Sequence, residues 1–138
     1  MALIRDRVFA ATNGVAVSPL SLYFGNRFKA REFLYRAELE KIACDQDWFT
    51  LHTAFSRDVI GKKIYVQDLV SQNDDIREIL IERKGLLHVC GNRNLPGPLR
   101  NSLIESFASG RTDDKSRSEA ISAMEEMFIH GRAQQEVW

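Results

Sequence analysis

The sequence predicts an α/β fold, a parallel β-sheet with helices on both faces. Two observations carry that reading. Short apolar runs closed by glycine, "LSLYFG" (Leu20 to Gly25) and "GLLHVCG" (Gly85 to Gly91), have the length and punctuation of buried strands. Segments whose apolar residues recur at helical spacing lie between such runs. Strands that alternate with helices imply parallel pairing, because each helical crossover returns the chain to the same end of the sheet.

Each element can be justified in order. "MALIRDRVFAA" reads as a short amphipathic helix; it lacks the long apolar stretch and small-residue cleavage site of a signal peptide. A loop carrying Asn13, Gly14 and Pro19 leads into the strand Leu20 to Gly25. Ala30, Phe33, Leu34 and Ala37 then stand at i, i+3, i+4 and i+7, the stripe of one helix. A turn at "DQD" (Asp45 to Asp47) precedes "WFTLHTAFS", a second strand rich in aromatics and threonine. "DVIGKK" is a loop pivoting on Gly61, followed by a short helix over Ile64 to Leu69. A further helix places Ile76, Ile79 and Leu80 on one face, and Gly85 to Gly91 is the third strand. "NLPGPLRNSLIESF" reads as loop then helix, with Pro98 in the first turn and Leu99, Leu103, Ile104 and Phe107 inward. "SRSE" (Ser116 to Glu119) has capping-box spacing before Ala120, Ile121, Met124, Met127 and Phe128. The tail from Arg132 is a last short strand. No internal repeat, low-complexity tract or linker divides the chain, so residues 1–138 read as a single domain.

Composition narrows the function classes. A chain of 138 residues can bury a core of its own, and its 44% hydrophobic and 28% charged fractions are ordinary for a globular protein. Lys+Arg and Asp+Glu both number 19, so no overall charge points to nucleic acid or a membrane surface, and any basic site must be local. No apolar run approaches a membrane span. Cys44 and Cys90 match no zinc or dithiol spacing, and His52, His88 and His130 have no metal-ligand spacing. This argues for no metal and a reducing, cytoplasmic setting. His52 and His88 fall inside strands and read as packed histidines. There is no Ser/His/Asp order, paired-carboxylate context or glycine-rich phosphate loop.

Ligands of parallel sheets bind outside the carboxyl ends of the strands, which directs attention to the loops after Phe24, Phe55 and Val89. After the second strand, Ser56, Arg57 and Lys63 gather a hydroxyl and two cations, with Tyr65 and Gln67 just beyond. A phosphate monoester dianion wants a forked guanidinium, a point-charge ammonium and a hydroxyl donor, and Tyr65 could lie flat on a base. Taken alone, a solvated charged turn is the commoner explanation. After the third strand, Cys90 precedes Gly91, where a ligand could approach the backbone; taken alone, a small buried hydrophobe is the commoner explanation of a lone cysteine. After the first, Gly25 allows close approach and Arg27 offers another cation; taken alone, a strand-breaking glycine and a solvated arginine are the commoner explanation. Trp138 ends the chain in "EVW", although chain ends fray unless tied down.

Taken in order, "LYFGNR…REFLYRAEL…AFSR…KIYVQ…HVCGNRN…EVW" resembles the C-terminal NADPH-binding module of the diflavin reductases, the NADPH–cytochrome (hemoprotein) reductase family. The match runs from residue 3 to residue 138. It implies the ferredoxin–NADP reductase type of C-terminal nucleotide-binding fold. It also implies an NADPH-dependent oxidoreductase in which hydride passes from nicotinamide to FAD, then electrons through FMN to a heme or iron–sulfur protein. Ser56, Arg57 and Lys63 match the anchors of the 2′-phosphate that separates NADPH from NADH. Tyr65 matches the aromatic stacked on adenine, and Gln67 its polar neighbour. Arg27, beside Gly25, matches the arginine near the pyrophosphate and ribose. Cys90, before Gly91, matches the active-site cysteine beside the nicotinamide, and Asn94 a nicotinamide-side contact. Glu136 takes the acidic position of the tail. Trp138 takes that of the aromatic covering the flavin, which must move aside before nicotinamide can stack.

Departures accompany the resemblance. Asn26 stands where the family usually has cysteine. The loop before Lys63 is one residue longer, leaving Lys62 as a rival to Lys63, and the "CGNRNL" loop is one shorter. Glutamate replaces the usual tail aspartate; with the "GN…NLP" wording it leans towards the cytosolic NADPH-dependent diflavin oxidoreductase branch. The family's first, central strand and its "GxGTGVAP"-type turn do not precede "MALIRDR", and the FAD and FMN domains are not in these residues. The implied chain is therefore a C-terminal piece of a longer flavoprotein. FAD and FMN would belong to that parent, and any membrane anchor would lie outside these residues. Strand edges left without the central strand invite self-association. An alternative reading is a module that only binds 2′-phosphoadenosine nucleotides, without turnover.

Overall fold

Parallel strand pairing occurs twice in the computed structural model, which describes residues 1–108 and 113–138. The chain divides into two compact units, Met1–Tyr65 and Val66–Trp138, each with its own two-stranded parallel sheet. The α/β class is thus as the sequence predicts.

In the first unit, helix α1 (Ala2–Thr12) and strand β1 (Leu20–Asn26) are followed by helices α2 (Lys29–Glu32) and α3 (Arg36–Asp45) and strand β2 (Phe49–Phe55). Strands β1 and β2 pair from Leu20 opposite Phe49 to Asn26 opposite Phe55. Alternation along a strand sends every second side chain to one face. Leu20, Leu22 and Phe24 therefore join Phe49, Leu51 and Phe55 against a buried cluster of Ile4 from α1 and Leu39 and Ile42 from α3. The Ala30–Ala37 stripe does not form one helix. The chain breaks after Glu32, and Tyr35 takes a left-handed conformation at φ 57°. Ring contacts account for the break. Phe33 turns into the core, 4.9 Å from the Phe24 ring and 5.4 Å from the Phe55 ring, while Leu34 is left 62% exposed. Three clustered aromatics outweigh the few tenths of a kcal/mol per residue that helical continuity offers.

The second unit contains helix α4 (Val66–Ser71), a π-helical turn (Glu78–Glu82), strand β3 (Leu87–Gly91), helices α5 (Pro96–Phe107) and α6 (Asp114–Ile129) and strand β4 (Ala133–Val137). Leu99, Leu103, Ile104 and Phe107 of α5 are buried as their spacing requires. Helix α4 begins two residues later than the pattern suggests. Helix α6 begins earlier, because the cap is Asp113 and not Ser116. Asp113 Oδ1 accepts from the Ser116 amide at 2.9 Å and Oδ2 from its hydroxyl at 2.8 Å, which draws "SRSE" into the first turns. Ala120, Met124 and Met127 are buried, but Phe128 is exposed. The final strand is held at its start by the Leu87 amide, which donates to the Arg132 carbonyl at 2.8 Å. The Arg132 guanidinium donates to the carbonyls of Leu80 (2.8 Å) and Gly85 (3.2 Å), closing the end of the π-helical turn.

Candidate functional site

The first unit builds a cationic edge. Because β1 and β2 run parallel, their carboxyl ends lie side by side, and the ladder continues past both strands. The Ser56 amide donates to the Asn26 carbonyl at 3.0 Å, and the Arg57 amide to the Arg27 carbonyl at 2.9 Å. Ser56, Arg57, Gly25 and Arg27 therefore leave the sheet from one edge. Segments Arg27–Glu32 and Ser56–Lys63 hold six cations and two carboxylates in a chain with no net charge. Arg27, Arg57, Lys62 and Lys63 are exposed, and among the described residues none of the four forms an ion pair. Lys63 follows a turn at Gly61 (φ 78°), where the Lys62 amide donates to the Val59 carbonyl at 3.2 Å. Tyr65 closes the unit, 43% exposed.

His52 lies on the same strand, on the face away from the aromatic core. Its ring stacks on Tyr23 at 4.3 Å and 9°. Its Nε2 is buried without a hydrogen-bond partner among the described residues, and burial lowers its pKa. A packed histidine is what the sequence predicts here. The folded chain thus takes up this proton less readily than the unfolded chain, whose histidine titrates near 6.5. Stability contributed by the neutral ring is present above about 6.5 and is lost as pH falls through the lower folded value. Urea midpoints measured on acidification from neutral pH to about 5 should fall further for the native chain than for His52→Phe.

The second unit brings the tail to the third strand. Strands β3 and β4 pair from Leu87 opposite Ala133 to Gly91 opposite Val137, with Cys90 opposite Glu136. Partners across a ladder project to the same face, so thiol and carboxylate share one surface. Cys90 is exposed, which excludes the buried-hydrophobe explanation. Glu136 is exposed too. The Trp138 amide donates to the Gly91 carbonyl at 3.2 Å, and the Trp138 carbonyl accepts from the Arg93 amide at 2.9 Å. The terminus is therefore tied down through its backbone while Trp138 as a whole is 74% exposed. A Cβ at Gly91 would meet Leu95 Cδ2 at 3.1 Å. Asn94 is exposed and donates its amide to Asn92 Oδ1 at 2.9 Å. Gln67 is half-buried in α4. His88 is exposed, not packed. Among the described residues no His, Cys, Asp and Glu side chains cluster as metal ligands, and no helix is long and apolar enough to cross a membrane.

No family model matches the chain. Individual proteins do. The chain is 35% identical over 137 residues to the NADPH–cytochrome P450 reductase of Musca domestica, covering 98% of this chain. It is 36% identical over 129 residues to the NADPH-dependent diflavin oxidoreductase 1 of a Candida glabrata strain, covering 88% of this chain. A third match is the mitochondrial pyruvate dehydrogenase [NADP(+)] of Euglena gracilis, at 36% over 141 residues and 100% of this chain. This chain is a homologue of the NADPH-dependent diflavin reductases. It spans only 8% of the pyruvate dehydrogenase and 20% of the other two. Near-equal identities leave the diflavin-reductase branches unseparated.

For a diflavin-reductase homologue, sequence reasoning passed over three residues of the first unit. Asn26, the departure from the family's cysteine, accepts from the Arg27 amide at 2.9 Å and donates to the Glu32 carbonyl at 3.3 Å. Glu32 Oε2 accepts from the amides of Arg27 (3.0 Å) and Phe28 (2.9 Å). Asp58 Oδ1 accepts from the Lys29 amide at 3.0 Å. Glu32 falls four residues after Phe28, the N-cap of α2, so it lacks the capping-box offset and no sequence spacing marks it. Nothing in sequence marks Asp58, whose partner lies 29 residues away.

Proposed function

We propose that this chain, as one NADP(H)-binding domain of a longer diflavin reductase, binds NADPH through its 2′-phosphate and positions the nicotinamide for hydride transfer to FAD. One observation carries the reading. Exposed Arg27, Arg57, Lys62 and Lys63, without ion-pair partners among the described residues, lie with Ser56 in the loops that leave the carboxyl ends of two parallel strands, on a protein with no net charge. Their free donors suit a phosphate dianion, which the forked guanidinium grips in two places and the ammonium holds as a point charge. In this reading Ser56, Arg57 and Lys63 hold the 2′-phosphate, Tyr65 and Gln67 the adenine, and Arg27 and Gly25 the pyrophosphate side.

Cys90, Gly91, Asn94 and Glu136 then form the nicotinamide side. The nicotinamide supplies the hydride; as the ring becomes cationic, a carboxylate and a polarisable sulfur on one surface stabilise it. Trp138, with its backbone tied and its indole free, suits a flavin cover that swings without unravelling the strand. FAD and FMN domains of the parent would carry electrons to a heme or iron–sulfur acceptor in a cytoplasmic setting, and the tail glutamate favours the diflavin oxidoreductase branch. The free edges of two-stranded sheets would support self-association. A second reading, resting on the same cationic edge, is a 2′-phosphoadenosine-binding module without turnover.

Calorimetric titration with adenosine 2′,5′-bisphosphate and with adenosine 5′-phosphate tests the site. Clear preference for the bisphosphate is expected, and equal or absent binding of both would overturn the assignment. NADPH oxidation by the chain without added flavoprotein would exclude the module reading.

A further inference from the structure

We propose that Asp58, assisted by Glu32, is a positioning residue that locks the two cation-bearing loops of the first unit together in the arrangement a phosphate monoester needs. The inference rests on the nucleotide-site reading and adds to it the groups that hold the site open before ligand arrives. Its starting point is a problem of charge. The loops after β1 and β2 carry six cations between them and should repel each other. Glu32 and Asp58 are the only carboxylates within these loops; among the described residues, Lys29 alone of the six pairs with a carboxylate elsewhere, Glu40 at 3.8 Å. Surface carboxylates in that position ordinarily neutralise the nearest arginine or lysine. These two do not. Among the described residues neither forms an ion pair, and their side chains accept from backbone amides.

The geometry assigns each a task. Asp58 reaches from the β2 loop to the Lys29 amide at the start of α2, joining residues 29 apart in sequence at 3.0 Å. Glu32 folds back from the end of α2 onto the amides of Arg27 and Phe28, fixing the turn through which Arg27 leaves the strand. Asn26 closes the same turn from the strand side. Negative charge is thereby placed beside the cations, which limits their repulsion, yet no guanidinium or ammonium donor is consumed. Those donors remain available for phosphate oxygens, and the loops lose little freedom when ligand binds.

The test separates a hydrogen bond from a charge. In the full 138-residue chain, Asp58→Ala removes both, whereas Asp58→Asn keeps an oxygen acceptor for the Lys29 amide and removes only the charge. The readout is the affinity ratio of adenosine 2′,5′-bisphosphate to adenosine 5′-phosphate, paired with hydrogen exchange at the Lys29 amide without nucleotide. Asp58→Ala should lower the ratio about two- to tenfold and expose the Lys29 amide. Asp58→Asn should keep the amide protected and hold or raise the ratio, since a repelling charge is gone. Glu32→Ala and Glu32→Gln should behave the same way at the Arg27 and Phe28 amides. An unchanged ratio in Asp58→Ala, or an equal fall in Asp58→Asn, would overturn the inference. A native ratio of one would instead overturn the nucleotide-site reading, and the amide exchange would still show whether the two loops are tied.

Discussion

Arg57→Ala should weaken binding of adenosine 2′,5′-bisphosphate by about ten- to a hundredfold while leaving adenosine 5′-phosphate nearly unaffected. The size follows from what a lone arginine contributes at an exposed phosphate site. A hydrogen bond to a charged group is worth about 1.5–3 kcal/mol, and a fork makes two of them. Arg57 is anchored at its backbone by the 2.9 Å bond to the Arg27 carbonyl, so removing its side chain leaves the loop path in place. Arg57→Lys should recover part of the loss, because it restores charge without the fork. Raising salt should weaken the native chain more than Arg57→Ala, since one exposed charge pair has been removed. Equal losses for both nucleotides would show that Arg57 supports the fold and not the phosphate.

Much of this site was legible because it depends on the order of residues along parallel strands. Once the runs ending at Phe24, Phe55 and Val89 are read as strands, their following loops are fixed as the ligand edge, and Arg27, Ser56, Arg57 and Cys90 follow directly. The opposition of Cys90 and Glu136 is a register, and register needs the tail to be a strand, which its short sequence only suggested. Where periodicity competed with aromatic packing, it lost. Phe33 left the helical stripe for Phe24 and Phe55, and the helix divided. The cap of α6 was missed for a related reason: Asp113 and Ser116 both have N-cap chemistry, and only the geometry shows which side chain accepts. Asp58 and Glu32 were invisible as site residues because their partners are backbone amides, which carry no residue identity.

Phe49→Ala should destabilise the first unit by about 3–5 kcal/mol, the range for emptying an aromatic core position. Phe49 is 3% exposed, opens β2 opposite Leu20, and shares a buried cluster with Ile4 of α1, Leu39 and Ile42 of α3, and Phe33 of the segment between α2 and α3. Few neighbours can move to fill the space, because the cluster is shared between α1, α3 and a strand whose position is fixed by its ladder. A domain's whole stability is about 5–15 kcal/mol, so this one change should consume much of it. Urea unfolding followed by Trp48 emission, in a Trp138→Phe background, reads the first unit directly, since Trp48 packs 5.9 Å from the Phe49 ring. Thr50→Ala, exposed on the other face of the same strand, should cost no more than about 0.5 kcal/mol. Comparable losses at both positions would mean that β2 is held by its ladder and not by its buried face. The expected asymmetry has a functional counterpart. Ser56 and Arg57 follow directly from the strand that Phe49 anchors, so nucleotide preference should disappear at the urea concentration where Trp48 reports unfolding, and not before.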